Sequence, residues 1–501
     1  MAGPEKMDNL DVEADRGSVG NKTESGHETT DDAEENAHDI VDFEGPDDLE
    51  NPMNWSTRKK SFTIFLVTMM TILSPIGSTI SSAAAPEIMA HFHSTNQTLG
   101  AFVTTVYLLG YTFGPMAIAP LSEMYGRSPL YKVCIVLFVI FNVACAVSPN
   151  LAALVIFRFL AGVGGSCPVT LGTGSIADMI PHEKRAGAMA VYVIGVILGP
   201  AVGPICGGFL APAAGWRWTF WLMAIAGGVV AIAVLPTLPE TYAYVLLQRK
   251  TRRLVKATGN LRLRSKLDSG RTAREHFAFS IGRPLKMLCV PVVFLQSLYA
   301  AVVYGYLYLC FTTFPAVFGD QYGFGTGPAG LVSLGFGVGS LIGIVFCGAV
   351  SDRQSAHLAK KHGGERKPEY RLPLMIMSSA LIPVGLFWYG WSAEAKVHWM
   401  VPIIGTGFLG CGVIVTYMAS TLYLIDAYTV YAASVTASGT ILRCLIATVL
   451  PLAGSSMYDR LGFGWGNSLL GFIAVAFMPL PVVFYVYGER IRKTKRFQVN
   501  F

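Results

Sequence analysis

The sequence predicts an all-α membrane protein with twelve transmembrane helices in two six-helix halves. Three observations predict it. Apolar runs of about 20 residues, long enough to cross a bilayer as helices, recur along the chain. Lys and Arg cluster in alternate loops. The second half repeats features of the first. Of 501 residues, 52% are hydrophobic and 14% are charged, well under the roughly 25% charge of a soluble domain.

The charge is unevenly spread. Residues 1–50 hold 17 acidic residues and three basic ones, while the rest of the chain holds 15 and 35. A tail with so little apolar surface is expected to be an acidic, disordered segment. It shows no charged-then-apolar leader, so a secretory signal is not expected. The first six-helix half, 51–236, carries apolar runs at 62–85, 99–119, 130–148, 151–173, 188–211 and 217–236. A basic central loop follows at 237–287. The second half, 288–488, carries runs at 288–314, 328–350, 372–391, 399–424, 434–456 and 467–488, and a basic tail closes the chain at 489–501. All nine cysteines lie within these runs and read as small packing residues. No metal site is expected, since His91 and His93 stand alone in their loop.

With the N-terminus in the cytosol, the loops on that side carry 30 Lys and Arg against three opposite, Arg217, Lys396 and Arg460. The positive-inside rule then puts both termini and the central loop in the cytosol. Asn96 opens an Asn96-Gln97-Thr98 sequon on the outer side, where it is available for glycosylation. In the central loop, Leu246, Leu247, Leu254 and a basic cluster fit a helix lying on an anionic inner leaflet. A solvated tether between halves fits equally.

Duplication shows in the loops. Leu121-Ser122-Glu123 follows the second run of the first half, and Val350-Ser351-Asp352 the second run of the other. At these residues the chain resembles the major facilitator superfamily. Within it, the chain is similar to fungal drug:proton antiporters of twelve spans, from about residue 51 to 490. NPMNW before run 1, PETY after run 6 and PEYRLP before run 9 are typical of the fungal group. The loop after run 2 resembles the G-x-L-[AS]-D-R-x-G-R signature at Leu121, Gly126 and Arg127, with Glu123 replacing Asp, Ala119 the first Gly and Met124 the first Arg. Run 4 matches L-x-x-x-R-x-x-x-G-x-G at Leu154, Arg158, Gly162 and Gly164. Run 5 matches the exporter pattern G-x-x-x-G-P-x-x-G-G in full, at Gly199, Gly203, Pro204, Gly207 and Gly208. The resemblance implies the major facilitator fold, proton coupling and export.

The run 5 glycines also have a physical reading. Gly195, Gly199, Gly203 and Gly207 share one helix face and form a groove for a close neighbour. Pro200 and Pro204 free carbonyls and can kink the helix. The groove serves either gating or dense packing.

Charges within the runs are costly, roughly 2.5–3.5 kcal/mol at a helix centre. Arg158 fits a cavity cation in a proton or substrate relay, or one that snorkels outward. Arg443 fits a transport role or a structural pair. Glu87 and Asp178 are candidate proton carriers, with interface or cap roles as the alternative. Glu123, Gly126 and Arg127 at one inner turn, and Asp352 and Arg353 at its counterpart, fit a latch that holds one state. Tyr304, Tyr308 and Phe311 form a stripe on run 7. With Gln296, Tyr107 and Tyr417 they are expected to line an aromatic, weakly polar cavity.

The expected function is proton-coupled export of a hydrophobic or amphipathic small molecule, a drug, toxin or fungal secondary metabolite, by alternating access. An importer of a polyamine or other nutrient, or a transport-inactive sensor on the same scaffold, are the alternatives. No nucleophile–base pair, metal motif or phosphate loop suggests an enzyme. The expected partners are the small-molecule substrate and the lipid bilayer. No nucleic acid and no cofactor is expected, the proton gradient being the energy source. The chain is expected to act as a monomer in the plasma membrane, with the vacuolar membrane as alternative.

Overall fold

A computed structural model describes residues 40–44, 48–181, 184–267, 281–362 and 367–493. The first half comprises α1 (Thr57–His91), α2 (Gln97–Tyr125), α3 (Arg127–Ala146), α4 (Leu151–Met179), α5 (Arg185–Ala214) and α6 (Arg217–Thr237). A separate helix, α7 (Ala243–Thr258), lies in the central segment. The second half comprises α8 (Pro291–Tyr322), the near-continuous α9 (Thr326–Leu331) and α10 (Ser333–Lys361), α11 (Leu372–Ser379) and α12 (Leu381–Glu394) as one crossing, α13 (Met400–Ala427), α14 (Ala432–Val449), α15 (Gly454–Phe477) and α16 (Pro479–Lys493).

Eleven stretches are long and apolar enough to cross a membrane, and the last, Ala432–Arg492, has 61 residues. At 1.5 Å per residue that is about 90 Å, three times the bilayer core. It folds back at Gly462, whose φ of 74° only glycine adopts freely, so the described chain makes twelve crossings. An even number puts both ends of the crossing array on one face, called here the terminal face; the other is the far face. The helices overrun the apolar runs because their ends are capped. Ser56 accepts from the Lys59 amide at 3.4 Å, which starts α1 five residues before the predicted run.

The repeat predicted from the loops is visible in packing. In the first half α1 packs on α5, α2 on α4, and α3 on both α4 and α6. In the second half α8 packs on α14, α10 on α13, and α12 on both α13 and α15. Gly215 (φ 90°) turns the chain between crossings five and six, as Gly462 does between eleven and twelve. The halves meet where α5 lies on α9 and α10 and α2 lies on α14. Ser333 donates to the Ala201 carbonyl at 2.8 Å, Thr448 to that of Thr105 at 3.3 Å, and Ser78 and Tyr308 share a hydrogen bond of 2.9 Å. These joints sit at mid-depth or towards the far face, so the far side of the interface is closed.

The central segment folds as a helix, as the leucine spacing allowed, and Val245 and Leu247 are buried. Its basic face is not left to lipid or water alone. Ile40–Val41 forms a short parallel pair with Arg264–Ser265. Lys250 bridges Glu44 (3.0 Å) and Asp48 (3.4 Å), Arg253 bridges Glu50 (3.1 Å), and Lys266 bridges Asp42 (2.5 Å). The end of the acidic tail is therefore ordered, contrary to expectation, because the opposite charges of the two segments meet. Residues 1–39 lie outside the described residues. The cysteines are all free.

Candidate functional site

The sequence places Arg127 at the first position of α3, and tertiary packing gives it its partner. The ion pair it forms is with Asp178 at the end of α4, not with Glu123 on its own turn. Nε lies 2.5 Å from Oδ2, and Nη2 donates to Oδ1 at 3.2 Å. Both side chains are more than four-fifths buried. Asp178 also accepts from the Thr241 hydroxyl at 3.4 Å. Asp178, expected as a proton carrier or an interface or cap residue, thus sits in an ion pair at the terminal face. Gly174 leaves the room the guanidinium occupies, since a Cβ there would collide with it.

Gly126 has φ 98°, and a Cβ would run into the Glu240 carboxylate. That carboxylate, the acid of PETY, is 7% exposed. It accepts from the amides of Arg127 (2.9 Å) and Ser128 (3.2 Å), the first two of α3, and from those of Thr241 and Tyr242, both at 3.0 Å. An anion at a helix N-terminus satisfies unpaired amides and meets the positive end of the helix dipole.

The second half repeats the ion pair, with a different base from the one expected for a latch. Asp352 pairs with Arg371 (2.5 Å), and Arg371 also reaches Asp426 at the end of α13 (3.0 Å) and the Ser351 hydroxyl (2.9 Å). Arg353 is exposed and takes no part in this network, which corrects its expected role. Its side chain leaves the helix towards solvent, one position on from Asp352. Arg371 was legible only as part of PEYRLP. Glu369 of that stretch is 4% exposed and accepts from Arg492 at 2.7 Å.

Arg158 is 1% exposed and does not snorkel. Its Nε donates to Val103 O (3.1 Å), Nη1 to Gly77 O (2.7 Å), and Nη2 to Ser78 O (3.2 Å) and Thr104 O (3.1 Å). The guanidinium lies over the rings of Tyr107 (5.0 Å) and Phe220 (5.6 Å). It is a cation held by backbone oxygens of α1 and α2 and by ring quadrupoles, with no carboxylate partner among the described residues. Tyr107 is fully buried under it, so it supports Arg158 rather than lining a cavity.

Arg443 on α14 is placed differently. Its guanidinium packs against Tyr304 (4.5 Å) and Tyr417 (4.9 Å). It borders a narrow cleft of about 30 Å³ between α8, α13 and α14. Of the expected cavity residues, Tyr417 lines this cleft and Tyr304 lies behind Arg443. Tyr308 and Phe311 are 1% exposed and pack into the joint between halves, Tyr308 on Ser78 and Phe311 on Phe336 at 5.6 Å. Gln296 is fully buried, its amide turned to Met375 at 3.1 Å; it faces α11 rather than the cleft. The stripe spacing on α8 was right, but which side meets the cleft depends on neighbouring helices.

The glycine face of α5 packs as its spacing implied. Cβ atoms at Gly195, Gly199, Gly203 and Gly207 would strike Ile72, Pro75, Thr79 and Ile80 of α1. A second face, not read from sequence, meets the other half. Gly208 abuts Thr326, the Pro204 carbonyl abuts Gly330, and the Ala201 carbonyl receives Ser333. Glu87 is half-buried near the far end of α1. Asn96 is exposed and caps α2, accepting from Thr98 (3.0 Å) and Leu99 (3.3 Å); these bonds use Oδ1 and leave Nδ2.

Paired six-helix halves, with a cleft among α8, α13 and α14 of the second, fit a membrane transporter. The family model described as Major Facilitator Superfamily matches residues 67–451, and the chain belongs to that superfamily. It is 52% identical to the MFS-type transporter penM of Penicillium rubens, over 92% of this chain and 91% of that one. It is 48% identical to the MFS transporter cpaT of Aspergillus oryzae (96% and 98%), and 46% identical to the efflux pump radE of Floropilus chiversii (93% and 87%). Among solved structures, the inward-open xylose transporter XylE of E. coli is similar in fold, with a TM-score of 0.63 at 16% identity, over 85% of this chain and 96% of that one. The chain groups with fungal transporters and is a multi-pass membrane transporter, not an enzyme.

Proposed function

We propose that the protein exports a hydrophobic or amphipathic small molecule of the secondary-metabolite class, in exchange for protons, by alternating access. The observation that carries this reading is the two-sided seam of α5. One glycine face is locked on α1 of its own half, and the other face rests on α9 and α10 of the opposite half. A helix built so closely into both can transmit a rocking of one half against the other. The name of radE as an efflux pump supports the outward direction. Arg158, a buried cation held only by neutral oxygens and rings, is the fixed positive charge we assign to proton coupling, with Glu87, near the far end of α1, as the carboxylate that carries the proton. The ion pairs Arg127–Asp178 and Arg371–Asp426 act as latches that brace the terminal face; the excess of Lys and Arg in its loops supports a cytosolic placement, and we take the protein to act as a monomer in the plasma membrane.

The test is cellular accumulation of amphipathic dyes and antifungals in a yeast host stripped of its own pumps, with and without a protonophore. Lower accumulation, abolished by the protonophore and by Arg158→Ala, is expected. Higher accumulation than the empty vector would mean import and would overturn the reading.

A further inference from the structure

We propose that Arg443 is the recognition point for an acidic group of the substrate, so that the transported molecule is an amphipathic organic anion. The inference rests on the transport reading above and gives it a substrate class.

The two intramembrane arginines differ in one respect. Every nitrogen of Arg158 donates to a backbone carbonyl. Arg443 has no hydrogen bond and no ion pair with any described residue, and its Nε is buried without an acceptor. Tyr304 and Tyr417 contribute ring electrons to the charge but take none of its five N–H donors. Arg443 is half-buried, and a charge with an enclosed, unpaired Nε is costly unless something completes it. Asp426, the carboxylate on α13, is held by Arg371 and is not available.

The cleft beside Arg443 is built to receive that missing acceptor. Its wall carries the hydroxyls of Ser297, Ser420, Thr421, Thr436 and Thr440 and no carboxylate. The Ser297 hydroxyl has no partner among the described residues and can donate to an anion, whereas a carboxylate would repel one; the other four donate to backbone carbonyls. The lining also includes Ala300, Leu424 and Val435, which suit the apolar body of an amphipathic molecule. The cleft is framed by the start of α8, the end of α13 and the start of α14, all in the terminal-face half of the crossings. It thus lies on the side away from the closed joint between halves. A guanidinium matches a carboxylate or acidic enolate in a forked geometry that an ester or amide cannot reproduce.

The test uses the purified full-length protein in detergent micelles and three probe pairs: 1-naphthoic acid, 1-pyrenebutyric acid and decanoic acid, each against its methyl ester. Thermal stabilisation as a function of probe concentration gives the apparent affinity. In the unmodified protein at least one acid is expected to bind about 10- to 100-fold more tightly than its ester. Arg443→Gln should abolish that preference while leaving the ester's affinity within about twofold, and Arg443→Lys should retain part of it. Size-exclusion elution and the ligand-free melting temperature of the variants check folding. Equal binding of acid and ester across all three pairs, or a preference that survives Arg443→Gln, overturns the proposal. Because the assay reads binding without a gradient, it can fail while proton-driven export stands, and it can succeed where the direction of transport proves inward.

Discussion

Arg371 donates to Asp426 at 3.0 Å across the terminal ends of crossings nine and ten, in the position that Arg127 and Asp178 occupy across crossings three and four. The two halves therefore carry one such ion pair each, built from the base that opens the third helix and the acid that ends the fourth. In each half an acid or base from the end of the sixth helix adds to the brace. Glu240 caps α3, and Glu489 pairs with Lys367 at 2.7 Å.

Arg371→Ala leaves Asp426 and Asp352 without their cation. Asp352 is 82% and Asp426 40% exposed, so the pairing is worth about 0–1 kcal/mol and transport is expected to fall by up to about fivefold with normal membrane levels. A charge exchange, Arg371→Asp with Asp426→Arg, should recover part of the rate, measured as initial efflux in vesicles. No loss in the single variant would remove the latch from the mechanism.

Arg158→Lys keeps the charge but offers three donors from a single nitrogen in place of a planar fork reaching four carbonyls. Both this variant and Arg158→Ala are expected to reach the membrane and to lose transport by more than about tenfold, by the difference of one hydrogen bond to a charged group or more. Efflux normalised to surface expression checks it. Wild-type rates with Lys would mean that charge alone suffices.

Glu240→Gln keeps the size of the side chain and removes its charge at the start of α3. The loss of a helix cap costs roughly 0.5–2 kcal/mol, so a lower melting temperature is expected for the purified protein. Asp459→Asn, at an exposed position away from any helix N-terminus, should leave it unchanged. An equal effect of the two would mean that the cap is not what Glu240 contributes.

The contact between tail and α7 is electrostatic, and its pH range follows from its members. The hydrogen bond from Lys266, with the Phe43 amide, holds the Asp42 carboxyl below its usual value. The Glu44 and Glu50 amides do the same for Asp48. Burial works against the Lys250 ammonium, but its hydrogen bonds with Glu44 and Asp48 leave it above its usual value. Lowered carboxylates contribute above their unfolded value near 3.9 and lose that contribution as pH falls through the lowered one. The raised ammonium contributes below about 10.4 and loses it as pH rises further. Protection of residues 40–44 and 48–50 against hydrogen exchange should therefore hold from about pH 5 to 9. Exchange should speed up at 1 M salt, where the Debye length is about 3 Å, and in Lys250→Glu. Protection unchanged by salt would show that the strand pair alone holds the tail.

Much of this architecture was legible along the chain. The apolar runs gave the crossings because a bilayer demands about 20 apolar residues of each, and the glycines of α5 at every fourth position gave a face that any neighbour must approach closely. Arg158 and Arg443 stood out because charge is rare in such runs. The partner of Arg127 was not legible, since Asp178 is 51 positions away and the nearer Glu123 fitted the local turn. Arg371 was hidden for the same reason, with Arg353 beside Asp352 looking like the obvious base.

The sequence by itself determined how many times the chain crosses and where cations and glycines sit along each helix. These are properties of single segments in contact with lipid or water. Only the tertiary structure decided which cation is satisfied and which is not. A backbone carbonyl or a cleft hydroxyl becomes a neighbour through helix packing, which no spacing within one helix encodes. Arg158 and Arg443 look alike in sequence; carbonyls of α1 and α2 surround the first, and a hydroxyl-lined cleft borders the second.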